Sequence, residues 1–175
     1  MRTYLVDWYG PFSDEEVATR SLRKVLDWPE LAENGLYIII GKQKYQKKCR
    51  VQYVGISKNT FSQRFANHHV KSIVEREVSI WIGKIDAQDE ALRSELELVE
   101  HVLLHFSGDT QLNNRKINSK PSRSCLVVSR FWDKEGTSLD MPDQCFEAIP
   151  AVLVWDKDAE TLHYAERLNI LSQGE

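Results

Sequence analysis

Two short strings and four later side chains give this sequence a candidate chemistry. Gly35-Leu36-Tyr37 and Tyr53-Val54-Gly55 are followed, in order, by Arg64, His68, Glu100 and Asn113. Two phenols, a guanidinium, an imidazole, a carboxylate and an amide are a workable set for hydrolysing a phosphodiester around a single metal ion. That reaction requires an attacking water, neutralisation of charge building on the phosphoryl oxygens, and help for the departing alkoxide. Arg64 suits the charge, because a guanidinium grips phosphate oxygens two at a time. His68 follows one helical turn later and shares a face with Arg64, whereas His69 points about 100° away and reads as structural. Glu100 is a single carboxylate, which with water and phosphate oxygens completes an ordinary Mg²⁺ shell. A tyrosine phenol, with a pKa of about 10, is a poor base at neutral pH unless a neighbour lowers it. A metal ion, Arg64 or His68 could do that for Tyr37 and Tyr53.

The elements that must hold these groups can be read from pattern. Residues 3 to 9 are apolar and aromatic enough for a strand, and Ser13-Asp14-Glu15-Glu16 reads as a capping box opening a helix that ends near Trp28-Pro29. Leu36-Tyr37-Ile38-Ile39-Ile40 is too apolar for a half-exposed strand and reads as central. Gly41 to Arg50 is a polar, basic hairpin connection, and Val51 to Val54 is the return strand, stopped by Gly55. Asn59 is the expected N-cap of a helix from about Thr60 to Arg76, with Phe61 and Phe65 inward. Ser79 to Ile85 is a third strand. A second long helix is expected from Asp89 to Phe106, with Leu92, Leu96, Val99, Leu103 and Phe106 as its apolar stripe. Beyond a polar stretch from Asn113 to Arg123, strands are expected at 125–131, 151–155 and 161–165.

Hairpin, arginine helix, strand, glutamate helix: with the two strings in place, residues 35 to 113 resemble the GIY-YIG nuclease domain. Its members include homing endonucleases, some restriction enzymes and the incision subunit of bacterial nucleotide excision repair. Gly35-Leu36-Tyr37 matches the first signature and Tyr53-Val54-Gly55 the second, with Arg64 nine residues past Gly55. The resemblance implies an α+β domain with a small antiparallel sheet flanked by helices. To this the pattern adds an N-terminal strand-helix extension (1–34) and a β-rich C-terminal extension (119–175) around the core at 35–118. It further implies a metal-dependent endonuclease, with Tyr37 near the attacking water and Tyr53 orienting that water or the phosphate. Arg64 and His68 would sit on the phosphate, since some restriction-type members carry a histidine at this offset. Glu100 would hold Mg²⁺, or Mn²⁺ as a substitute. Asn113, or Asn114 beside it, would fix the site through hydrogen bonds. Several members have a lysine straight after the second glycine; here Ile56 stands there, with Lys58 two residues on, and the loop between the strings is longer and more basic than in the smallest members.

Net charge is −3, so a protein that coats nucleic acid is disfavoured, but the cations are clustered. Lys42, Lys44, Lys47 and Lys48 lie between the two tyrosine strings, and Arg115 and Lys116 follow the second long helix; with Lys58 these are the expected phosphate contacts. DNA is the expected partner ahead of RNA, with a homodimer if both strands are cut. A non-catalytic nucleic-acid-binding module on the same scaffold is the alternative reading. No apolar run reaches the roughly 20 residues that span a bilayer, and nothing near the N-terminus reads as a signal peptide. Three cysteines without a CxxC pair suit a reducing compartment, so a cytoplasmic location is expected.

Overall fold

The computed structural model describes residues 1–18, 34–66, 74–86, 93–107, 120–140 and 149–165. The elements run β1 (Arg2–Phe12), α1 (Asp14–Ala18), β2 (Gly35–Lys42), β3 (Arg50–Ser57), α2 (Phe61–Ala66), β4 (Arg76–Asp86), α3 (Arg93–Phe106), β5 (Cys125–Trp132), β6 (Ser138–Leu139), β7 (Val152–Asp156) and β8 (Thr161–Ala165). The capping box forms as its sequence requires: Glu16 N–H donates to Ser13 Oγ at 3.2 Å, and Ser13 N–H to the Glu16 carboxylate at 2.6 Å. Burial acts to raise the Glu16 carboxyl, but hydrogen bonds from Lys134 and Ser13 together hold it below the usual range.

The expected small antiparallel sheet flanked by helices is not what the chain builds. Among the described residues the fold is mostly β, 49% strand against 22% helix, and the eight described strands join one curled mixed sheet, a half-barrel. Its order is β3-β2-β4-β1-β5-β7-β8, with β6 beside the end of β5. The reason is β1, which inserts between β4, to which it is antiparallel, and β5, to which it is parallel. Strands before and after the tyrosine hairpin thus extend its sheet instead of packing on it, and one sheet runs through segments 1–34, 35–118 and 119–175.

One helix shows why the sheet curls. α3 lies against β3 and β2, while at its C-terminal end the His105 ring meets Trp155 of β7 at 4.8 Å and Phe106 meets Tyr164 of β8 at 5.1 Å. Touching both ends of the strand order is open only to a helix that the sheet wraps. Alternation then sorts the strands into two faces. Leu36, Ile38 and Ile40, with Val6, Trp8, Trp81, Val127 and Leu153, face α3. Tyr37, Ile39 and Tyr53, with Phe12, Ile80 and Ile82, face the other way, under Val17 of α1 and Phe61 and Phe65 of α2.

Two boundaries differ from the pattern reading. Arg76 opens β4, paired with Lys42 across the sheet, so the arginine helix does not reach it. The cap of α2 is Thr60, whose Oγ1 accepts from Gln63 N–H at 3.3 Å, and not Asn59, whose carbonyl accepts from Ser57 Oγ at 3.0 Å. Among the described residues, no helix is long and apolar enough to cross a membrane.

Candidate active site

The two tyrosines come from neighbouring strands. Tyr37 pairs with Gly55 and Ile39 with Tyr53, so the phenols sit diagonally on one face. Their rings stack at 5.7 Å and 15°. Gly55 is what permits this. A β-carbon there would lie 2.6 Å from Tyr53 Cε1 and 2.7 Å from both Cζ and the hydroxyl of Tyr37, well inside contact distance. The second glycine of the paired strings is therefore a steric requirement of the tyrosine pair. Gly35 has a similar reason, since a β-carbon would stand 2.7 Å from the carbonyl oxygen of Gly83 on β4. Phe65 and Phe61 meet the Tyr37 ring edge-on at 5.0 and 6.3 Å, and Tyr37 is fully buried.

α2 carries Arg64 over this pair. Its Nε donates to the Tyr37 hydroxyl at 2.9 Å and Nη2 to the Tyr53 hydroxyl at 3.4 Å, and its Cζ lies 5.8 Å from the Tyr37 ring centre. Phe61 and Phe65, at spacing four on α2, are buried, which leaves the guanidinium at the surface. Among the described residues no carboxylate pairs with Arg64; the other interactions around it are with the two phenols. Burial, reinforced by neighbouring Tyr53, raises the Tyr37 phenol far above its ordinary range despite Arg64. Tyr37 therefore stays protonated at any physiological pH, and the arginine beside it does not turn it into a base.

Glu100 lies on α3, four residues after Leu96 and three before Leu103, and is 5% exposed. A carboxylate this deep needs a compensating ion or hydrogen bond, and Glu100 is not without a partner in the structure. Its helix packs on the same two strands that bear the tyrosines, but from the opposite face. Among the described strands β3 ends the order, and the two faces meet along its outer edge. Among the described residues no group of three His, Cys, Asp or Glu side chains is placed to hold a metal. What Glu100 offers is a single hard oxygen donor, which suits Mg²⁺ or Mn²⁺ completed by water and phosphate oxygens.

The cations divide. Lys42 is mostly buried and paired with Glu77 at 2.5 Å, while Lys44, Lys47 and Lys48 stand exposed at the hairpin tip. From Tyr37 to Lys42, β2 spans about 17 Å, so the tip is remote from the phenols. Lys58 is exposed at the opposite end of the hairpin, just past Ser57, the partner of Gly35. His68, Asn113, Asn114, Arg115 and Lys116 lie outside the described residues. One cation went unnoticed in the sequence: Lys84 donates to the carbonyl of Asn34, and its ammonium lies 5.9 Å from the Phe61 ring centre. Its place follows from the pairing of Leu36 with Gly83, which no local pattern announces.

No protein-family model matches this chain, and neither does any curated protein or solved structure.

Proposed function

We propose that this chain is a metal-dependent endonuclease hydrolysing phosphodiester bonds of nucleic acid, DNA ahead of RNA, along the lines its GIY-YIG resemblance implies. The observation that carries the reading is Arg64. Arginines kept for ion pairing have acid partners here: Arg2 with Glu95, Arg93 with Glu97, Arg130 with Asp7. Arg64, like Arg76 and Arg123, has neutral acceptors among the described residues, but its two phenols hold its plane at the surface and leave its charge for an anion from outside. A phosphate is the anion whose geometry a guanidinium fork matches, and charge developing on its oxygens strengthens the contact.

The roles of the two tyrosines follow from position, and those of His68, Asn113 and Glu100 from the resemblance. Tyr37, wholly buried, touches no substrate; its hydroxyl holds Arg64 Nε, so it is a positioning residue. Tyr53, less deeply buried, orients the attacking water or the phosphate beside Arg64. The resemblance implies a further phosphate contact from His68 and a hydrogen bond from Asn113 that fixes the site, both outside the described residues. Glu100 would hold the metal. Bound there, Mg²⁺ would polarise the phosphoryl oxygen and make an attacking water more acidic. To cut both strands of a duplex the chain must dimerise or act twice, since one chain supplies one such site. Free thiols at Cys49 and Cys125 suit a cytoplasmic location.

Cleavage of supercoiled plasmid in Mg²⁺ at low salt tests this, with Arg64→Ala, Tyr37→Phe and Glu100→Gln compared against the parent chain. Arg64→Ala is expected to lose about 10²–10³-fold in rate, the scale of removing one donor to a transition-state anion. Tyr37→Phe keeps the packed ring and loses about tenfold. Cleavage at the parent rate in Arg64→Ala would overturn the reading, and in Glu100→Gln would remove Glu100 from the metal. A parent chain that shifts DNA in a gel but never cuts it is the non-catalytic binding module.

A further inference from the structure

The tip of the β2–β3 hairpin, residues 43–49, is built to a standard that a solvated connection does not need. Nη2 of Arg76 donates to three loop carbonyls, those of Gln43, Lys44 and Gln46, at 3.2, 3.0 and 3.1 Å. Gln52, fully buried, donates to the carbonyl of Gly41 at 2.9 Å and to Gln46 Oε1 at 2.7 Å, and accepts from Gln43 Nε2 at 2.9 Å. The Lys42–Glu77 pair closes the base of the loop, and Glu77 takes a left-handed backbone (φ 53°) there, strain that a non-glycine residue accepts only where its surroundings hold it. Three of the loop's carbonyls, those of Gln43, Lys44 and Gln46, are thus held from within by Arg76.

Side chains of a different kind point outward. Tyr45 is 87% exposed, and the Lys44 ammonium sits 5.6 Å from its ring centre. Lys47, Lys48 and Arg50 are exposed around it. Among the described residues the only other strongly exposed large apolar side chains are Met1 and Tyr164, so Tyr45 belongs to no apolar patch. A lone ring among cations on a rigid mount lacks the apolar surroundings of a protein-docking groove. Its flat face and charges match a nucleobase and its flanking phosphates.

We propose that this tip is a contact for single-stranded nucleic acid, in which an unpaired base stacks on Tyr45 while Lys44, Lys47 and Lys48 hold adjacent phosphates. The proposal rests on the nucleic-acid reading above and adds a second contact to it, about 17 Å or more along β2 from the phenols. Single strands are the partner because base faces are open there and closed in a duplex, and stacking on an aromatic ring is indifferent to sequence. The fixed loop avoids an ordering cost on binding.

Fluorescence anisotropy in EDTA, so that nothing is cut, tests it with the full chain. The probes are a labelled oligothymidylate, the same strand with abasic sites, and a polyglutamate of equal charge. Tyr45→Ala, an exposed change that leaves the fold alone, is expected to weaken oligothymidylate binding about tenfold and abasic binding hardly at all. Replacing Lys44, Lys47 and Lys48 by Ala is expected to reduce the salt slope of log K by about 2. Equal binding of oligothymidylate by Tyr45→Ala and parent overturns the proposal, as does equal weakening on base-bearing and abasic strands. Polyglutamate bound as tightly as the oligonucleotide also overturns it, in favour of plain charge attraction. Plasmid cleavage reads the other site. Tyr45-dependent binding without cleavage keeps this contact and overturns the nuclease; cleavage lost in Arg64→Ala, with Tyr45→Ala binding normally, does the reverse.

Discussion

The two faces of the sheet are made by the same strands and put to different uses. Toward α3 the strands present Val6, Trp8, Leu36, Ile38, Ile40, Val127 and Leu153, an almost unbroken apolar surface that grips the helix from several strands. The reverse face has a smaller cluster, and it includes two hydroxyls with a guanidinium laid across them. Tyr37 and Ile38 are sequence neighbours that serve opposite sides. Because side chains alternate along a strand, residues of one parity pack the larger core against α3, which also bears Glu100, while those of the other parity lie under Arg64. On the proposed function, stability and activity should be separable wherever a substitution leaves Arg64, the two tyrosines and Glu100 in place.

The hardest test falls on the α3 side. Leu103→Ala removes a side chain with no exposure from the middle of the larger cluster and is expected to cost about 2–5 kcal/mol in urea unfolding. Where the variant is still folded, its cleavage rate should match the parent; a rate that collapses with the protein folded would break the division of labour. Gly55→Ala should act on both counts, because the added carbon strikes both tyrosine rings: about 1–3 kcal/mol of stability and most of the activity. Retention of parent activity there would show that the stacked pair is not needed. The smallest effect is expected at the edge of the tyrosine face. Ser13→Ala removes the α1 cap at a cost of about 1 kcal/mol and leaves cleavage intact. The partner Glu16 gives this cap a pH signature. Its carboxyl is lowered in the folded chain, so its contribution is complete above the unfolded value of about 4.3 and is lost as pH falls through the folded one. Acid titration of stability should therefore be shallower in Glu16→Gln.

Much of this arrangement is legible in the sequence where local pattern decides. The run from Leu36 to Ile40 marks a central strand because both of its faces are covered, and Ser13 with Glu16 marks a helix start because capping is local. Tyr37, Tyr53 and Arg64 come together as their spacing suggests, since a hairpin and the helix after it set their geometry over fewer than thirty residues. The sheet is another matter. β1 pairs Leu5 with Asp86 and Arg2 with Cys125, and no periodicity within a strand names a partner so distant. Hence strands expected as a prefix and a tail became the middle and the far wing of one sheet. Lys42 shows the same limit at one residue: its place in a basic run suggests phosphate, but Glu77 on β4 holds it. The upward shift of Tyr37 is invisible in sequence too, because it comes from burial under Phe61 and Phe65.

The position of β1 has a consequence in time. β1 is synthesised before the other described strands yet lies in the middle of the sheet, and its second partner ends at Trp132. At about 5–20 residues per second, the 39 positions from Asp86 to Cys125 take roughly 2–8 s to emerge. Through that interval a ribosome-bound chain holds β1 with one edge unpaired, an apolar strand open to any other extended segment. High contact order makes the final closure slow as well. Newly made copies on neighbouring ribosomes are thus the protein's first competitors for its own β5 site, and expression at low temperature or with a chaperone that shields strand edges should raise the soluble yield.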